Sequence, residues 1–136
     1  MALSNDHEKR ETVYRLGAAE RRFAEIIWRE EPVSSRKLVE LADQELNWRK
    51  STTYTVLHRL CEKGLFENVK STVTALVSRE HYNQVESRDY VRESFGGSLP
   101  AFFTAFTSSG SISEEEAEEL LEMIRVYRKK SKEGGS

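Results

Sequence analysis

The sequence predicts a mainly α chain with a small β-hairpin: a winged helix-turn-helix DNA-binding domain followed by an α-helical dimerisation domain. Three observations carry this expectation. Residues 16–64 hold three stretches of helical apolar spacing separated by short breaks. Residues 65–77 switch to short β-favouring runs around a turn, and residues 78–130 return to helical spacing with strong apolar faces and no further strand signal. The order helix, helix, helix, hairpin is that of a winged helix-turn-helix. The boundaries that follow are a flexible arm at 1–15, the winged domain at 16–77, the dimerisation half at 78–130 and a tail at 131–136.

Residues 1–15 are polar and mixed in charge, with no apolar period, and Lys9, Arg10 and Arg15 are offset by Asp6, Glu8 and Glu11. The first helix is expected over 18–30, with Leu16, Ala19, Phe23, Ile26 and Ile27 on one side, Trp28 at its edge and Glu31-Pro32 as its stop. A short extended piece, 32–34, leads to a second helix from about Ser35 to Leu46, capped by Ser34 or Ser35 and burying Leu38, Leu41, Ala42 and Val39. Asn47 and Trp48 make a tight connection into the third.

The third helix, within residues 50–64, has two unlike faces. Thr53, Val56, Leu57 and Leu60 fall on one side at 100° per residue, and Ser51, Tyr54, Thr55, His58 and Glu62 on the other, with Gly64 closing the helix. A row of short hydrogen-bonding groups flanked by Arg49, Lys50 and Arg59 suits a groove of DNA, where polar groups reach base edges and cations reach phosphates.

The runs 65–69 and 73–77 then form the hairpin around Lys70-Ser71-Thr72, which places Lys70 at a tip able to lie against a phosphate. Ser78 caps a helix to about Phe95 whose apolar residues, Tyr82, Val85, Tyr90, Val91 and Phe95, spread around the axis and need burial from more than one direction. Gly96-Gly97 ends it. Leu99, Phe102, Phe103 and Phe106 follow at i, i+3, i+4 and i+7, with Pro100 in the first turn. Ser113 and Glu116 form a capping box for the last helix, which presents Ala117, Leu120, Leu121, Ile124 and Tyr127 on one face. Glu114 to Glu116 and the late bases both suit the helix dipole. With no sheet to pack on, this half is expected to meet a second copy in a C₂ dimer through Tyr82, Val85, Val91, Phe95, Leu99, Phe102, Phe103, Phe106, Leu120, Leu121 and Ile124.

Composition narrows the function classes. The chain has 136 residues, 38% hydrophobic and 32% charged, with no membrane-length apolar window or signal-peptide pattern, so a cytoplasmic protein is expected. A single cysteine, Cys61, excludes an internal disulfide and a Cys-rich zinc site; no metal or cofactor is expected. The net charge of −2 is unevenly spread: residues 1–80 carry 14 Lys+Arg against 13 Asp+Glu, residues 81–136 carry 7 against 10, and residues 47–70 carry 5 against 2. Positive charge therefore gathers around the third helix. Catalysis would lean on His58 and Cys61 as base and nucleophile, with no orienting acid or oxyanion arrangement to complete them, so no enzyme is expected. His7 and His81 read as surface groups. The competing reading is a winged-helix protein-interaction module without DNA binding, which the acidic overall charge favours.

Several segments resemble the penicillinase-repressor family of transcriptional regulators: Ala18-Ala19-Glu20 with Ile26-Ile27-Trp28, Pro32-Val33, Thr52 with residues 55–60, Lys63-Gly64-Leu65, residues 76–80, and Gly96-Gly97-Ser98-Leu99. The resemblance runs from about Leu16 to Tyr127. It implies a winged-helix homodimer that represses β-lactam-resistance or related stress genes by binding a palindromic double-stranded operator. It also implies operator contacts at Thr52, Tyr54, Thr55 and Arg59, with Tyr54 standing where many members have Lys and His58 where many have Asn. The hairpin is shorter than in several members. Members are induced when a membrane sensor protease cuts an Asn-Phe bond; here that bond falls at Phe102-Phe103, where the Asn is replaced. The copper branch holds Cu(I) in a C-terminal Cys-rich hook, and this chain ends without cysteines, which sets that branch aside.

Overall fold

The computed structural model describes residues 14–134. In order, their elements are α1 (Ala18–Glu30), β1 (Val33–Ser34), α2 (Ser35–Leu46), α3 (Lys50–Glu62), β2 (Phe66–Val69), β3 (Thr72–Ala75), α4 (Arg79–Phe95), α5 (Leu99–Ser108) and α6 (Glu114–Gly134). This is a winged helix followed by a helical segment, the predicted class. The chain divides into two compact units between Tyr90 and Val91, inside α4 and well past residue 77.

In the first unit, α1 to α3 pack around Phe23, Ile27, Leu38, Leu57 and Leu60, and the sheet closes the core with Leu65, Phe66 and Val73. Each helix ends for a local reason. The Glu20 carboxylate accepts the Gly17 N–H at the start of α1. Ser34 Oγ accepts the Lys37 N–H at the start of α2. Asn47 takes the left-handed conformation that stops α2. Gly64, at φ 85°, stops α3: its N–H reaches the Cys61 carbonyl and the Leu65 N–H reaches that of Leu60, a Schellman closure.

The sheet has the antiparallel order β1-β3-β2. Phe66 pairs with Ala75 and Val69 with Thr72, so the connection is only Lys70-Ser71, both at positive φ, rather than the three residues 70–72. Positive φ at both central residues matches the right-handed twist of a two-residue hairpin. The short extended piece is a true strand: Val33 pairs with Val73 and Ser34 with Thr72.

Three placements differ from the sequence reading. On α1, Ala19 is exposed and Ala24 is fully buried instead, because the buried arc is centred on Phe23 and Ile27. Tyr14, assigned to the arm, is half-buried; its ring lies 5.6 Å from Tyr82 and its N–H donates to Glu86. The rest of the arm, 1–13, lies outside the described residues, as do Gly135 and Ser136. The remainder of the predicted tail continues α6 to Gly134.

In the second unit, Gly96 and Gly97 at positive φ end α4, and the Gly97 N–H donates to the Val91 carbonyl. Ser98 Oγ caps α5 through the Ala101 N–H, and Ser113 Oγ caps α6 through the Glu116 N–H. Phe102 packs edge-on against Phe95 at 5.6 Å and, with its ring tilted, against Phe106 at 5.9 Å.

Candidate nucleic-acid interface

The outward face of α3 is built by the burial of its inward one. Thr53, Val56, Leu57 and Leu60 are all in the core, and Thr53, fully buried, satisfies its hydroxyl by donating to the Arg49 carbonyl at 3.0 Å. With that side fixed, Ser51, Thr52, Tyr54, Thr55, His58 and Arg59 face solvent. Thr55 Oγ1 donates to the Ser51 carbonyl at 2.9 Å. Ser51, Thr52, Thr55, Val56 and Arg59 line a shallow depression of about 340 Å³. Its rim mixes hydroxyl, methyl and guanidinium groups, the chemistry that contacts base edges and thymine methyls.

His58 projects beside Glu62, with 3.6 Å between Nε2 and the carboxylate. Cys61 is half-buried behind this face; burial pushes its thiol up, and Glu67 adds to the shift. A thiol held protonated is a poor nucleophile. Tyr54, at 38% exposure, is the largest side chain on the face.

The cations sort by location. Arg21, Arg29, Lys63 and Arg79 each lie within 3.2 Å of a carboxylate. Arg49, Lys50, Arg59 and Lys70, all read from sequence as binding residues, are exposed and have no carboxylate within salt-bridge distance among the described residues, Arg59 acting on the Glu20 carboxylate only from further away. Arg36 and Lys37 on the first turn of α2 share this state and were missed by the sequence reading. The link that makes them relevant is tertiary: the Ser35 N–H donates to the Ser71 carbonyl at 2.9 Å, tying the start of α2 to the tip that carries Lys70. Arg88 on α4 and Arg22 on α1, whose guanidinium donates to the Glu45 backbone carbonyl, also have no carboxylate within salt-bridge distance among the described residues.

The residues assigned to dimerisation do not all lie open. Tyr82, at 3% exposure, belongs to the winged-helix core, where its ring meets Trp28 at 5.3 Å and the Arg21 guanidinium sits 4.8 Å from its centroid. Val85, Val91, Phe95, Phe102 and Leu120 are half-buried. Leu99, Phe103, Phe106, Leu121 and Ile124 are exposed, with Phe106 at 61%. The Phe102-Phe103 bond lies within α5.

The model of the family described as penicillinase repressor matches residues 16–126. The chain belongs to the penicillinase repressor family. Relatives in this family include the penicillinase repressor of Bacillus licheniformis, 23% identical over 119 residues that cover 85% of this chain and 93% of the relative. The methicillin resistance regulatory protein MecI of Staphylococcus aureus (strain Mu50 / ATCC 700699) is 24% identical over 115 residues, covering 82% of this chain and 94% of MecI. The protein of the same name from Mammaliicoccus sciuri is 23% identical over the same coverage. These relatives are named as a repressor and as resistance regulatory proteins. Among the described residues, no helix is long and apolar enough to cross a membrane.

Proposed function

We propose that the chain is a transcriptional repressor that binds a palindromic operator as a homodimer and controls β-lactam-resistance or related stress genes. The observation that carries this reading is the sorting of charge among the described residues: Arg21, Arg29, Lys63 and Arg79 lie against carboxylates, while Arg36, Lys37, Arg49, Lys50, Arg59 and Lys70 have none within salt-bridge distance around a hydroxyl-rich helix face. A solvated face gains little from unpaired clustered charge, whereas a phosphate backbone supplies the missing anions.

In this reading α3 lies in the major groove. Tyr54, Thr55 and His58 face base edges, Arg59 and Arg49 reach base or phosphate, and the wing tip and the start of α2 hold the flanking backbone. Two copies related by a two-fold axis present two such helices to half-sites one or two turns apart.

The test is operator retention by the full chain, measured across salt against the upstream DNA of its own gene. Six to ten phosphate contacts per dimer give a slope of log affinity against log salt of about −0.9 per phosphate. Arg59→Ala should weaken retention while the dimer stays intact. Salt-independent or absent retention would instead favour a protein-interaction module.

A further inference from the structure

Helix α4 begins in the first unit and carries the chain on into the second, so its direction relative to α3 depends on what grips its first turns. Part of that grip comes from α1. Arg79 Nε donates to the Glu25 carboxylate at 2.6 Å, and the Arg21 guanidinium donates to Asn83 Oδ1 at 3.0 Å while lying 4.8 Å from the Tyr82 ring centroid. These contacts hold residues 79–83, about 6 Å of helix at the helical rise.

The rest comes from the residues ahead of α1. Tyr14 sets its ring 5.6 Å from that of Tyr82 and donates its backbone N–H to Glu86 Oε1 at 3.3 Å. The next carbonyl, that of Arg15, accepts from Lys63 Nζ at 3.1 Å, and Lys63 is the residue that caps the end of α3. Lys63 is itself fixed by the Glu20 carboxylate at 3.2 Å. Between its two anchors Arg15 takes φ 49°, a left-handed conformation that a non-glycine residue keeps only where its surroundings hold it. Two residues thus strap the end of α3 to the second turn of α4.

Glu86 lies seven residues beyond Arg79, so the strap lengthens the gripped stretch of α4 from about 6 Å to about 10 Å. For equal play at each contact the swing of a held rod falls as the held length grows, here by roughly two-fifths. The helix runs on for nine residues from Glu86 to Phe95, so any swing at the grip is magnified along it.

We propose that Tyr14 and Arg15 are positioning residues for operator binding: they brace α4 against the end of α3 and so fix the half-site spacing that the dimer accepts. The proposal rests on the homodimeric operator binding proposed above and adds what sets its spacing. In this role the strap holds a helix and reads no base. One added base pair moves a half-site by about 3.4 Å and turns it by about 35° around the duplex, so a stiff α4 rejects the change and a loose one follows it.

The experiment uses the full chain and the palindrome it retains from the upstream DNA of its own gene, with the centre shortened or lengthened by one and two base pairs. A single half-site serves as the control. The unsubstituted chain should lose about tenfold or more in affinity for each base pair of change. Tyr14→Ala with Glu86→Ala should reduce that loss to about threefold or less while half-site affinity stays the same. Tyr14→Phe keeps the ring and the backbone N–H and should keep the steep profile. Glu86→Ala alone leaves a good helix former on α4 and should flatten the profile in the same direction, which decides the matter if the double variant does not fold. Affinity that falls equally at every spacing would make the strap purely structural and overturn the proposal. So would a profile that stays steep once the strap is broken, or an unsubstituted chain indifferent to spacing. If the unsubstituted chain retains no palindrome at any spacing, operator binding itself fails, and the proposal with it.

Discussion

The indole Nε1 of Trp28 donates a 2.9 Å hydrogen bond to the backbone carbonyl of Val77. It joins α1 to the chain just beyond β3, and the same ring contacts Phe66 at 5.4 Å and Tyr82 at 5.3 Å. One side chain thus ties helix, sheet and the start of α4 together.

Trp28→Phe keeps an aromatic ring but leaves the Val77 carbonyl without its donor. The expected cost is about 1–3 kcal/mol, read from the urea midpoint. An unchanged midpoint would show that solvent replaces the indole.

Asn47 stops α2 at φ 58° and ψ 41°. Asn47→Gly should change stability by less than about 0.5 kcal/mol, while Asn47→Val should cost roughly 1–2 kcal/mol, because a β-branched residue is strained there. Equal stability of the two variants would show that the turn adopts another conformation when Asn is absent.

The wing tip offers a measurement in which stability and binding move in opposite directions. Lys70 and Ser71 both hold positive φ without being glycine. Replacing them together, Lys70→Asn with Ser71→Gly, supplies the residues that a two-residue hairpin prefers and should stabilise the fold by about 0.5–1 kcal/mol. The same change removes one proposed phosphate contact per subunit, so the salt slope of operator binding should fall by about two per dimer. A slope that does not change would remove the wing from the interface.

Acid should unfold the first unit through two glutamates. Burial acts to raise Glu20, but the Gly17 N–H and Lys63 outweigh it; burial likewise acts to raise Glu25, but Arg79 and Arg21 outweigh it. Both carboxyls are therefore held below their ordinary value of 4.5. A lowered folded pKa means the unfolded chain takes up protons first as pH falls, so this stabilisation is full above that value and is lost as pH drops through the lowered ones. Glu20→Gln with Glu25→Gln should lower the Tm at neutral pH and flatten its fall below about pH 4.5. A Tm profile parallel to the unsubstituted chain would assign the acid sensitivity elsewhere.

The helices were legible because each carries its own period and its own stop: Ser34, Asn47, Gly64, Ser78, Gly96 and Ser113 act locally, within a few residues of the chain they punctuate. The outward face of α3 was legible for the same reason, since burial of Thr53, Val56, Leu57 and Leu60 dictates what remains outside. What escaped depends on partners distant in sequence. Val33-Ser34 is too short for a strand period and becomes one only through Val73 and Thr72. Arg36 and Lys37 look like ordinary helix surface until the Ser35 amide places them beside the wing tip. Tyr82 reads as one apolar residue among several on α4, and only Trp28, Tyr14 and Arg21 reveal which neighbours cover it.

The strand order β1-β3-β2 puts the hairpin strand β3 in the middle of the sheet, with two-residue β1 along its other side. β2 and β3 can meet as soon as both have been made, whereas β1 can join only after α2 and α3 have brought the chain back. Until then β3 presents an open row of backbone donors and acceptors, the kind of edge on which another chain can add a strand. Val33 and Ser34 close that edge at Val73 and Thr72, so the smallest element of the fold is what keeps the finished sheet from offering β3 to another chain.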